Sequence, residues 1–132
     1  MILGPFTTLK STFLITFHDG YLFLIKLNLK SSVKYAFSKT GLPLFSHHIE
    51  KLKEQPLNEL FANHEIEKID LKSDVEFELI KNLLVDTQLK FKLKKKEVRL
   101  TPDLGLSDDE IKYLSYVLGS KMKDNRNESY SY

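Results

Sequence analysis

Between Ser11 and Phe17 the chain alternates: Phe13, Ile15 and Phe17 fall on one side, Thr12 and Thr16 on the other. That is the period of a half-buried strand. Asp19-Gly20 follows, two residues that tolerate positive φ as a two-residue type I′ turn requires. Tyr21 to Leu27 then reads as a second strand, apolar on both faces until Lys26. An antiparallel hairpin through Asp19-Gly20 is expected.

Residues 30–41 carry Ser31-Ser32 and Thr40-Gly41 and read as a connection, with a short strand around Val33 to Phe37. After Pro43 the period becomes helical. Leu44, Phe45, His48, Ile49 and Leu52 share one face, while Glu50, Lys51 and Lys53 lie on the other. Pro56 stops that helix, because its ring clashes with the preceding turn and it has no N–H to donate. It also opens a second short helical turn with Leu57, Leu60 and Phe61 as the buried side.

From Glu65 the period returns to two. Ile66 to Leu71 is one strand, and the broken alternation at Lys68-Ile69 predicts a bulge. Val75, Phe77 and Leu79 alternate with Glu76 and Glu78; Leu89, Phe91 and Leu93 alternate with Lys90, Lys92 and Lys94; Val98 and Leu100 continue the sheet. A closing helix is marked at both ends. Ser107 and Glu110 form a capping box, with Asp108 and Asp109 at the positive end of the helix dipole. Ile111, Leu114, Val117 and Leu118 make its apolar stripe, and Gly119 stands where a left-handed cap is expected. The predicted organisation is a single α+β domain over residues 1–120 and a flexible polar tail over 121–132. Removing residues 122–132 should change little.

Composition narrows the function. The chain has 132 residues, 42% of them hydrophobic, with nine Phe and six Tyr; it can form a core without a disulfide or metal. It has no cysteine, which excludes thiolate zinc sites and thiol nucleophiles and fits a reducing compartment. Met1 to Pro5 lacks the early basic residues of an export signal, and the longest apolar run, Tyr21 to Ile25, is far short of the roughly 20 residues that span a bilayer. A cytoplasmic protein is expected. The net charge of +2 is too balanced to call for nucleic acid.

Candidate chemistry is sparse. His47 and His48 are adjacent, so on a helix they point about 100° apart and cannot share one ion; with Glu50 they make too few ligands to hold a metal. His18-Asp19 lacks a nucleophile. His64-Glu65 lacks the cysteine motif of zinc deaminases. Glu76, Glu78, Asp70 and Asp74 read as a solvated sheet face. There is no glycine-rich phosphate loop and no nucleophile elbow. No cofactor is implied. The feature with the most chemical content is basic: Lys90, Lys92 and Lys94 on one strand face, extended by Lys95, Lys96 and Arg99, would form a stripe able to pair phosphates. The same lysines could instead block edge pairing or be neutralised across the sheet by Glu76 and Glu78. Phe91 lies on the opposite face, which argues against base stacking by this strand.

The stretch from Glu50 to Phe61 running into Glu65-Ile66-Glu67-Lys68-Ile69-Asp70-Leu71, with the helix 107–118 at the end, resembles the corresponding passage of bacterial and archaeal pleckstrin-homology-like (PH-like) domains over residues 6–120. The resemblance implies a strongly bent antiparallel sheet or partly open barrel, with a central helix and a C-terminal helix plugging one end. It implies a binding role. Phosphoinositide-binding members carry a basic signature on the first hairpin, for which Lys10 and Lys26 are candidates, but Lys26-Leu27-Asn28 lacks the closing arginine. The expected function is a non-enzymatic module that binds protein. The alternatives are an anionic membrane surface held by the lysine strand, a small enzyme without a legible site, and self-association into a homodimer.

Overall fold

The structure is a computed structural model that describes residues 1–8, 11–27, 49–81, 87–103 and 105–126. The predicted strand at Val33 to Phe37, the start of the helix after Pro43, His47, His48 and Lys10 lie outside the described residues.

The described strands form one eight-stranded sheet: β1 Ile2–Thr7, β2 Thr12–His18, β3 Tyr21–Leu27, β4 Glu65–Asp70, β5 Val75–Ile80, β6 Gln88–Leu93, β7 Lys96–Pro102 and β8 Met122–Asp124. Their spatial order is β4-β3-β2-β1-β7-β6-β5-β8, so the sheet is not closed. Residues 49–54 are helical; α1 spans Leu57–Asn63 and α2 Asp108–Leu118. The protein is therefore a mixed α+β fold with a C-terminal helix. No helix among the described residues is long and apolar enough to cross a membrane.

The β2–β3 hairpin pairs in register from Thr12↔Leu27 to His18↔Tyr21. Asp19 and Gly20 between them both take positive φ, 51° and 79°, the requirement of the type I′ turn. On β2 and β3 both faces are covered. Phe13, Ile15, Phe17, Leu22 and Leu24 face the main core, while Leu14, Ile25 and Leu27 join Ile49 and Leu60 in a second cluster under the helices.

This double burial explains β4. Its ladder with β3 is unbroken from Tyr21↔Asp70 to Lys26↔Glu65, so the predicted bulge at Lys68-Ile69 is absent. Ile66 packs on the helix-side cluster and Ile69 on the main core; the break in alternation records two apolar faces. The bulge lies instead in β1, which the sequence pattern did not mark as a strand. There Leu3 opposes Ile15 and Phe6 opposes Phe13, so Gly4 and Pro5 stand against Leu14 alone. Gly4 sits at φ 121°, in the region that favours glycine. The extra residue lets Leu3 and Phe6, three apart, both face the main core.

β1 joins β7 through only two pairs, Phe6↔Pro102 and Thr7↔Thr101. Across this junction the inner-face side chains of β1–β4 and of β5–β7 belong to one cluster. α2 enters it with Leu114 and Leu118. The capping box is present, with the Glu110 N–H donating to Ser107 Oγ (3.2 Å) and the Ser107 N–H to Glu110 Oε1 (2.9 Å). Gly119 has positive φ, 55°, and its N–H donates to the Ser115 carbonyl. Residues 122–124, placed by pattern in the tail, form β8, parallel to β5 with Phe77↔Met122 to Leu79↔Asp124. The sheet is thus antiparallel except at this last strand.

Candidate functional site

The lysine strand can be placed residue by residue. Lys90 and Lys92 do share the outer face of β6, opposite the core residues Leu89 and Phe91. Lys90 Nζ lies 3.4 Å from Glu78 on β5 and 3.5 Å from Glu97 on β7, and its side chain is only 22% exposed. Lys92 stands opposite Glu76 on one side and Glu97 on the other. Arg99 pairs with Glu97 at 3.6 Å. Lys94 leaves the stripe: with Lys95 it forms the two-residue turn between the paired Leu93 and Lys96, at φ 58°, which a side chain with a Cβ adopts only at some cost. Lys95 and Lys96 are exposed, and Lys96, on β7, has the parity of the core-facing Val98 and Leu100. The six basic residues are therefore divided between a neutralised face, a turn and a strand end. Lys26, the hairpin cation, lies 3.6 Å from Glu65 on β4. Among the described residues no three His, Asp or Glu side chains converge as a metal site.

A different feature stands out once the chain is folded. A cleft of about 860 Å³ opens where β7 runs past the end of β1; Lys96, Glu97, Val98, Arg99, Leu100 and Thr101 all line it. Side chains of a strand alternate between faces, so six consecutive residues can border one cleft only if it follows the strand's edge. The pairing agrees. β7 bonds β6 along one side, but β1 covers the other side only at Thr101 and Pro102. Among the described residues, the edge from Lys96 to Leu100 has no strand beside it.

Apolar side chains from both halves of the sheet reach this cleft: Phe13 and Leu24 from one, Phe91 and Val98 from the other. Phe13 is at the opposite end of β2 from Phe17, where α2 meets the strand. The polar lining includes Glu67 on the wall formed by β4, and Thr7, Thr8, Ser11 and Asp103 where the cleft ends against the β1–β2 turn. Thr7 donates its hydroxyl proton to Asp103 Oδ2 at 2.6 Å. Burial pushes the Asp103 carboxyl above the ordinary carboxylate range, and the Thr7 hydrogen bond partly opposes that shift.

Sequence reasoning missed this site because its defining property is a missing neighbour. The early end of β1 leaves Lys96 to Leu100 without a neighbouring strand among the described residues, and neither Thr7 nor Thr101, where the pairing stops, is a glycine or proline that would mark the place.

No family model matches the chain, and neither does a curated protein or a solved structure.

Proposed function

We propose that this protein is a non-enzymatic binding module that takes up an extended polypeptide segment as an added strand along the open edge of β7. One observation carries the reading: six consecutive β7 residues border the cleft while β1 covers only the last of them. Backbone N–H and C=O groups on an unpaired edge are a template for another strand. Main-chain bonds supply affinity in such complexes, and pockets for alternate side chains supply selectivity. Here the inward side chains of a guest strand would meet Phe13, Leu24, Phe91 and Val98. The stretch 96–100, which has no strand beside it among the described residues, offers about 17 Å of edge at roughly 3.3 Å per residue, enough for a five-residue guest.

The PH-like plan belongs to the same reading. Its support is the placement of α2 at one end of β2 and the cleft at the other.

The experiment is a selection from displayed seven-residue peptides that alternate apolar and polar positions, followed by resynthesis of the winner with alternate backbone nitrogens methylated. Methylation removes the donors of a strand ladder and leaves side chains in place, so binding should be lost. If no peptide binds more tightly than about 1 mM, or if the methylated form binds equally well, strand addition is wrong. Protection of β7 amides from hydrogen exchange on binding should locate the guest.

A further inference from the structure

Resting on that strand-addition reading, we propose that the guest segment carries a basic side chain, lysine or arginine, which pairs with Asp103 where the cleft ends against β1.

Asp103 follows directly on β7, and its position is set twice: its N–H donates to the Pro5 carbonyl at 2.9 Å and its Oδ2 accepts from Thr7. It is half-buried. Among the described residues Oδ1 accepts no hydrogen bond, and no cation lies within ion-pair distance of either oxygen. A carboxylate removed from water without a cation is costly, and the Thr7 hydroxyl offsets only part of this.

Other charges at the cleft do not already fill the role. Arg99, four residues earlier and on the same side of β7, is engaged by Glu97, which also receives Lys90. Lys96 lies at the opposite end of the edge. The acid on the far wall, Glu67, also has no ionic partner among the described residues, so the lining holds two unpaired acids, Glu67 and Asp103. A cation on the outward face of a guest strand, near its end against the β1–β2 turn, would reach Asp103 with the length of a lysine or arginine side chain. An acidic guest residue at the same place would meet a fixed like charge.

The test uses acetylated, amidated seven-residue peptides of alternating Val and Thr. One Lys is walked through the outward Thr positions, and each peptide is matched by a norleucine analogue of nearly the same apolar length. Affinities are read by fluorescence anisotropy at low salt with the native protein and with Asp103→Asn. At one position the Lys peptide should bind the native protein about tenfold more tightly than its norleucine match, the size expected of a charge-assisted hydrogen bond. Asp103→Asn should erase that preference, so that its Lys and norleucine peptides bind alike. If norleucine and lysine peptides bind the native protein equally, or if the preference survives in Asp103→Asn, the assignment to Asp103 fails and strand addition stands. Absence of binding by every peptide overturns both.

Discussion

The ring of Tyr113, on α2, meets the ring of Phe17, on β2, edge-on, with centroids 6.2 Å apart and planes at 62°. This contact fixes which end of β2 the C-terminal helix meets. Phe13, four residues back on the same face of β2, lines the cleft at the other end of the strand. Helix and candidate site thus share one strand face and one core, and the consequences of disturbing either can be stated.

Leu114 is fully buried in the main core, so α2 is a structural lid. Leu114→Ala should cost about 2–5 kcal/mol, the usual range for a large-to-small core change. Leu114→Asp adds an unpaired buried charge and should leave the domain unfolded or aggregated. Urea denaturation of the alanine variant, and circular dichroism of the aspartate variant, check both. A melting temperature for Leu114→Asp within a degree or two of native would mean that α2 does not pack on the sheet.

Asp103 and Asp124 should give opposite pH dependences. The folded pKa of Asp103 is raised, first by burial. Its ionised form therefore weakens the fold above that value, and the penalty is relieved as pH falls through it. Asp103→Asn should accordingly be more stable than native at pH 7, with the gap closing toward pH 4. The folded pKa of Asp124 is lowered, first by the hydrogen bond from Arg126, at 2.6 and 2.8 Å. Its contribution is present above the ordinary carboxylate range and is lost as pH falls through the lowered value. Thermal melts of Asp103→Asn and Asp124→Asn across pH 3–7 should show the two signs. Equal and parallel curves would remove the assignment.

Truncation after Lys121 should destabilise the domain. It removes the β5–β8 pairing, the Asn125 N–H bond to the Leu79 carbonyl at 2.9 Å and the packing of Met122 against the core. A loss of about 1–3 kcal/mol is expected from one half-buried side chain and a few ladder bonds. An unchanged denaturation midpoint would show that β8 contributes nothing and that the tail begins at residue 121 after all.

Lys90 is held by Glu78 and Glu97, so Lys90→Gln should cost about 1 kcal/mol and less in high salt. Anionic vesicles test what remains of the stripe. With its face neutralised, the native protein should sediment with them weakly, and no more than Lys90→Gln/Lys92→Gln/Lys94→Gln does. Strong sedimentation of the native protein at low salt that the triple variant loses would restore the membrane reading.

The elements most legible in the sequence were those whose signal is local. The hairpin at Asp19-Gly20 rests on turn chemistry between neighbours, and α2 rests on caps within a few residues of its ends. The alternation of β5, β6 and β7 was equally readable, because those strands bury one face and expose the other. β1 escaped because its bulge at Gly4-Pro5 puts Leu3 and Phe6 on one face at a spacing of three, and a Gly-Pro pair reads as an interruption. β4 was seen but misread, because Ile66 and Ile69 serve two different cores. The Lys94-Lys95 turn carries no residue that prefers positive φ, so nothing local separated it from the strand before it.

Periodicity and capping alone determined the α+β class, the hairpin register and the closing helix, since each depends on residues close together along the chain. Tertiary structure decided that Glu78 and Glu97 hold Lys90, that Thr7 meets Asp103, and that β7 runs beside an apolar cleft with an edge that no strand among the described residues covers. These depend on which strands become neighbours, and on where a neighbour stops. β2 and β3 bury both faces at once, one in each cluster, a condition imposed by the whole core that no single segment's pattern contains.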